Sequence, residues 1–169
     1  MKASTFTFKD HADVEIFVYK WVPDSGTGKA AIQIAHGLAE HAARYEHVAQ
    51  SLTDAGYIVY ADDHRGHGKT AKTKDKLGQL NPDGWAGVVK DLKQLTDIIK
   101  KENPGLPVFL VAHSWGSLLA QDYISQFGSE IRGVVLSGTN GKQPWIIRKL
   151  GPILAKKEVK KIGHDTPSP

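Results

Sequence analysis

Apolar and polar residues alternate over two stretches near the start of the chain, 5–9 and 14–22, the period of strands with one buried and one wet face. Two such runs so close together predict an antiparallel hairpin. Asp24-Ser25-Gly26-Thr27-Gly28 has turn composition, because Gly supplies positive φ and Asp and Ser bond their own backbone. From residue 30 the pattern changes. Short, mainly apolar segments at 30–35, 57–61, 107–112 and 131–136 read as strands, that at 57–61 β-branched and aromatic and so buried. Between them apolar residues recur at helical spacing: Tyr45, Val48, Ala49 and Leu52 up to Gly56; Trp85, Val88, Val89, Leu92, Leu95 and Ile99 up to Pro104; Leu118, Leu119, Tyr123 and Phe127 up to Gly128. Asn81-Pro82 predicts an N-cap with proline in the first turn of the second helix. Residues 62–84 keep no period and carry many turn-forming side chains, a loop long enough to need a function.

After the hairpin the order is β-α-β-α-β-α-β, which implies parallel strands joined by right-handed helical crossovers. The fold class is therefore α/β, a doubly wound, mostly parallel sheet with an antiparallel edge. Past residue 141 the character shifts. Ile146, Ile147, Leu150, Ile153 and Leu154 share one helical face, with a break expected at Gly151-Pro152, and residues 164–169 are polar and Pro-rich. The expected division is a core over 1–141 and a separate segment over 142–169.

Composition narrows the function classes. With 40% hydrophobic and 24% charged residues the 169-residue chain is an ordinary globular one, and the lack of Cys excludes disulfides, a thiol nucleophile and thiolate metal sites. The first eight residues alternate rather than forming the apolar stretch of a signal peptide, and no apolar run reaches transmembrane length, so a cytoplasmic location is expected. The net charge of +4 is concentrated: Lys142, Arg148, Lys149, Lys156, Lys157, Lys160 and Lys161 face the single acid Glu158, leaving about −2 for the rest. That distribution argues against nucleic acid as a partner of the whole fold, and points to peripheral membrane contact through 142–161.

The candidate chemistry begins with Val111-Ala112-His113-Ser114-Trp115-Gly116-Ser117, a serine where an apolar strand turns sharply into a helix, with small residues two positions to either side. A tight, strained turn lifts the hydroxyl above the sheet and tolerates only small neighbours such as Ala112 and Gly116. It also places Ser114 at a helix start, where free N–H groups favour a developing negative charge and the Trp115 N–H is a natural oxyanion donor. A serine and a glycine capping an ordinary helix would give the same pentapeptide; the position after the third parallel strand favours the nucleophile. His36-Gly37-Leu38-Ala39-Glu40-His41-Ala42-Ala43-Arg44-Tyr45 follows the first parallel strand, and Asp62-Asp63-His64-Arg65-Gly66-His67-Gly68-Lys69-Thr70 the second.

These three motifs, in this order, closely resemble the monoglyceride lipase and lysophospholipase branch of the α/β-hydrolases, with signatures H-G-x-x-E-H-x-x-R-Y and D-x-R-G-H-G-x-S, over about residues 8–141. Ala112 stands at the first small position in place of the usual Gly, and Thr70 at the last position of the second signature in place of Ser. The resemblance implies an α/β-hydrolase with Ser114 as nucleophile and the Leu38 N–H completing the oxyanion hole with Trp115, supported by His36, Gly37, Ala112, His113 and Gly116. It implies structural roles for Asp62, His64, Arg65 and His67, an ion pair between Glu40 and Arg44, and a mobile cap beginning in the basic segment. It also implies a chain that continues through two more strands and the loops bearing the remaining triad Asp and His. After Ser114 this sequence holds only His164, preceded by Asp122, Glu130 and Glu158 and followed by Asp165. Partnership with a C-terminal half, or self-association through an uncovered sheet edge, is the corresponding expectation. His36, His41, His47, His64, His67 and His113 match no metal-ligand spacing, and neither metal nor cofactor is expected. Three functions remain open: a hydrolase of monoacylglycerol or lysophospholipid esters, a catalytically silent fragment that binds ligands or a partner, and a peptidase or other acyl-transfer enzyme on the same fold.

Overall fold

The computed structural model describes residues 1–141 and 144–163, in two compact units, 1–139 and 140–169. Lys142, His164 and Asp165 lie outside the described residues.

In the first unit β1 (Lys2–Lys9) and β2 (Glu15–Val22) form the expected hairpin, with Lys2 opposite Val22 and Lys9 opposite Glu15. The strands β3 (Ala30–Ala35), β4 (Tyr57–Asp62), β5 (Val108–His113) and β6 (Gly133–Ser137) follow the four apolar runs. The sheet order is β1-β2-β4-β3-β5-β6, antiparallel where β2 meets β4 and parallel from β4 to β6. All six residues of β3 are buried, as a central strand covered on both faces requires.

The helices are α1 (Glu46–Asp54), α2 (Gly84–Glu102) and α3 (Trp115–Phe127). Ile32 and Ile34 of β3 pack with Val59, Ala61, Trp21 and Ala49 on the α1 face. Ala31 and Ala35, half a pleat away, join the opposite face, under Leu95 and Ile99 of α2 and Leu119 and Tyr123 of α3. Gln33 also points there and is fully buried. Its amide is satisfied: Nε2 donates to the Leu92 carbonyl at 2.9 Å and Oε1 accepts from Thr96 Oγ1 at 2.7 Å. Tyr123 O–H extends this chain to Thr96 at 3.0 Å, and burial pushes its hydroxyl up to about 12.

Two expectations are corrected at helix ends. Asn81-Pro82 does not open α2; it is a cis peptide in the preceding loop, and the N-cap is Asp83 at φ 66°. There the Pro82 carbonyl accepts from Arg65 Nη1 rather than lying in the first turn of α2. Trp85, assigned by its period to the apolar face, is 36% exposed, with its Nε1 donating to Asp122 at 2.9 Å. The second unit contributes α4 (Trp145–Ile162), which runs through Pro152 without the expected break. A proline removes one donor and the bond it would make, and here the remaining ladder carries the helix on. Trp145, Ile146, Ile147, Leu150, Ile153 and Leu154 are all exposed. No helix of the described residues is long and apolar enough to cross a membrane.

Candidate active site

Ser114 sits between β5 and α3 at φ 51° and ψ −118°, a conformation L-residues rarely adopt and which costs about 1–3 kcal/mol. Neighbouring groups hold it there. Its N–H donates to the Ser137 carbonyl of β6 at 2.8 Å, and its own carbonyl accepts from the Ser117 N–H at 2.9 Å and the Ser117 hydroxyl at 2.5 Å. The backbone is thus pinned on both sides while the side chain stays exposed, and among the described residues no group is hydrogen-bonded to Ser114 Oγ. Ala112 is fully buried, paired with Ala35 across the β5–β3 register. A methyl group on Gly116 would run into the carbonyl oxygens of Ala35 and His36, so glycine lets the start of α3 close onto the end of β3. His113 is exposed, its Nδ1 3.3 Å from Ser137 Oγ. Trp115 opens α3, where an N–H has no acceptor within the helix; its ring stacks on His67 at 5.4 Å between centroids and meets Trp85 edge-on at 5.7 Å.

The end of β3 brings His36 and Gly37 to the same place. A Cβ built on Gly37 would stand 3.2 Å from Ser114 Cβ, so the turn after β3 abuts the serine directly. Leu38 is 63% exposed, and Ala39 takes a left-handed conformation at φ 57°. Fully buried His36 bridges two loops: Nδ1 lies 2.8 Å from the Gly37 carbonyl and Nε2 accepts the His64 N–H at 3.0 Å. One nitrogen must donate and the other accept, which defines a neutral ring with its proton on Nδ1. Burial, with His64 and His67 close by, drives the His36 pKa far below the ordinary histidine range. Glu40 accepts from the Gly37 N–H at 2.5 Å and from the Tyr45 hydroxyl at 2.7 Å, with Arg44 Nη1 at 3.4 Å, the anticipated ion pair. Burial alone would raise its carboxyl, but the Tyr45 and Gly37 hydrogen bonds and Arg44 hold it below the usual range.

The first part of the long loop after β4, residues 62–71, is a largely buried polar framework beside this site. Asp62 Oδ2 lies 2.9 Å from His64 Nδ1, and both side chains are inaccessible to solvent. Asp63 clips the two loops together, accepting the N–H of Ala42 at 2.8 Å and of Lys69 at 2.7 Å. Thr70 Oγ1 accepts the Phe17 N–H at 2.9 Å, a task either hydroxyl residue could perform. Arg65, 1% exposed, binds Asp91 through Nε at 2.6 Å and Nη2 at 3.1 Å, and also reaches Asp10 and the Pro82 carbonyl. Burial pushes Asp91 up to about 6 against the pull of Arg65, while its acidic partners keep the guanidinium charged. Asp10, His11 and Asp91 bring possible metal-ligand atoms within 4.8 Å of one another, but the carboxylates of that group already serve Arg65.

Asp91 and Asp10 were not foreseen as partners of Arg65. The available signal was an acid on the apolar face of α2, one turn beyond Gly87, where a Cβ would stand 2.5 Å from Arg65 Nη1. Tyr45, counted with the apolar face of α1, is the second donor to Glu40. Among the described residues the acids after Ser114 are committed elsewhere: Asp122 to Trp85, Glu130 to Lys100 at 2.7 Å, and Glu158 near Lys161 at 3.8 Å.

The family model described as serine aminopeptidase, S33, matches residues 26–164. A monoacylglycerol lipase of Mycolicibacterium smegmatis is 36% identical over 135 residues, covering 80% of this chain and 46% of that protein. A human monoglyceride lipase is 36% identical over 121 residues, covering 72% of this chain and 38% of its own. A solved carboxyl esterase of Bacillus coagulans, in complex with glycerol, superposes with a TM-score of 0.85 at 31% identity over 99% of this chain and 54% of that one. The chain thus spans about half the length of the curated relatives it matches or less. The likeness runs through the whole sheet and its helices, and the chain belongs to the serine aminopeptidase, S33, family of α/β-hydrolases.

Proposed function

We propose that Ser114 is the nucleophile of a carboxylic ester hydrolase acting on monoacylglycerol or lysophospholipid. The observation that carries this reading is the strained backbone of Ser114, pinned by Ser137 and Ser117, with its hydroxyl exposed and unpartnered among the described residues. In this reading Ser114 Oγ attacks the ester carbonyl, and the tetrahedral oxyanion is received by the N–H groups of Leu38 and Trp115. Collapse expels the glycerol-bearing alcohol, which takes a proton, and water then attacks the acyl-serine to release the fatty acid and restore Ser114. Deprotonation of Ser114 and protonation of the leaving alcohol need a histidine oriented by a carboxylate, supplied in the family's chain order by a segment that follows Ser114. The lipase names of the relatives favour acylglycerol over aminoacyl substrates. Residues 142–169 are assigned to the beginning of a cap, and the exposed apolar face of α4 with its basic residues suits an anionic lipid surface. Among the described residues β6 is an edge strand, with Val135 58% exposed, which suits a further strand from a C-terminal half or a second copy.

The test is intact-mass spectrometry before and after a fluorophosphonate probe, with the modified peptide sequenced. One adduct, on Ser114, is expected wherever a histidine base reaches it, with turnover of acylglycerols exceeding that of aminoacyl amides. No adduct in a protein that carries its histidine base would sink the nucleophile assignment, and ligand binding without turnover would then describe the fold.

A further inference from the structure

The turn that abuts Ser114 has no backbone scaffold of its own: among the described residues, no backbone-to-backbone hydrogen bond holds Leu38 or Ala39. Side chains hold it instead, at both faces of Gly37. His36 Nδ1–H donates to the Gly37 carbonyl at 2.8 Å, and Glu40 Oε1 accepts the Gly37 N–H at 2.5 Å. Peptide groups are planar, so these contacts fix the peptide before Gly37 and the one after it, and with them both backbone torsions of that residue. The second peptide is the one whose N–H belongs to Leu38.

We infer that Glu40, held by Tyr45, is a positioning residue that aims the Leu38 N–H at the oxyanion of Ser114 chemistry by fixing the peptide plane before Gly37. The inference rests on the reading of Ser114 as nucleophile and gives Glu40 a task beyond the ion pair with Arg44. The ion pair is the weaker contact: Arg44 is 63% exposed and 3.4 Å away, whereas the oxygen facing Gly37 takes two shorter hydrogen bonds. Ala39 at φ 57° needs such a restraint, because a left-handed alanine relaxes when nothing holds the turn. A carboxylate suits the position better than an amide, since its charge strengthens both bonds that the one oxygen accepts.

In a protein that carries the histidine base, second-order labelling of Ser114 by a fluorophosphonate, whose phosphoryl oxygen occupies the oxyanion position, is measured for wild type, Glu40→Leu, Glu40→Gln, Tyr45→Phe and Arg44→Ala. Misplacement of a donor by about 1 Å is worth about 100-fold, the loss expected for Glu40→Leu. Glu40→Gln should restore most of it, Tyr45→Phe should fall between, and Arg44→Ala should label like wild type. In parallel, the Gly37 amide proton, strongly downfield in wild type because of its short bond to a carboxylate, should move upfield in folded Glu40→Gln. Equal labelling of folded Glu40→Leu and wild type would overturn the inference, as would a Gly37 amide at an ordinary position in wild type. If no variant labels and the Gly37 amide still responds to Glu40, the restraint stands and the failure belongs to the reading of Ser114.

Discussion

Acid should destabilise this fold through His36, by an amount that can be isolated. Both ring nitrogens are committed, Nδ1–H to the Gly37 carbonyl and Nε2 to the His64 N–H, so a second proton would set two donors against each other in a buried site. The folded pKa is therefore driven far down, whereas an unfolded imidazole titrates near 6.5. With the folded value depressed, the unfolded chain binds the extra proton first; this contribution is present above the unfolded pKa and declines as pH falls below it. Between pH 7 and pH 5 one such histidine costs about 2 kcal/mol, against a total stability of about 5–15 kcal/mol for a domain. Asp91 acts in the opposite sense. Its folded carboxyl, pushed up to about 6, takes a proton before the unfolded one does, so it gains stability as pH falls through that window.

The assay that separates them is urea unfolding of wild type and His36→Gln at pH 7, 6 and 5. Asp91 titrates in both proteins, and so does His67, whose pKa burial also lowers. Their terms cancel in the difference. His36→Gln should be less stable than wild type at pH 7 by about 1–3 kcal/mol, the cost of leaving buried groups such as the His64 N–H poorly paired. That gap should close by about 2 kcal/mol on going to pH 5. A gap that stays constant across the three pH values would show that His36 accepts its second proton in the folded state, and would refute the assignment of a fixed neutral tautomer.

Other perturbations follow from the same framework. Arg65→Met removes the guanidinium that Asp10 and Asp91 share and leaves two buried carboxylates without a cation; chemical denaturation should register a loss of about 3–5 kcal/mol. Gly116→Ala pushes a methyl into the carbonyls of Ala35 and His36, and a loss of about 1–3 kcal/mol should appear in thermal unfolding, together with slower labelling of Ser114. Thr70→Val leaves the Phe17 N–H without its acceptor at a cost of about 1–3 kcal/mol, whereas Thr70→Ser should unfold like wild type; a Thr70→Val protein as stable as wild type would refute the role given to the hydroxyl.

What could be read from the chain and what could not divides along one physical line. Apolar periodicity reports burial, and burial orders the sheet: six strands and three helices of the first unit lie where the runs and stripes place them, within a few residues. Buried polar groups obey a different rule, since each needs a partner and the partner can lie anywhere in the chain. Arg65 finds Asp10 and Asp91 at separations of 55 and 26 residues, and Gln33 finds Thr96 at 63, distances over which no spacing rule operates. Pro82 was misplaced for this reason: its local preference for a first helical turn lost to a carbonyl needed by Arg65. The motifs are legible where periodicity is silent because each is a short segment with bonds inside it or to a neighbouring motif. Gly37, Glu40 and Tyr45 form one such group, while Asp63 and Thr70 tie the second motif to the first and to β2. The site is therefore most legible where its bonds are local and least where it draws on α2 and the N-terminal hairpin. By that logic the residues most worth substituting are those that make the distant bonds, Asp10, Asp91 and Gln33, rather than the motif residues alone.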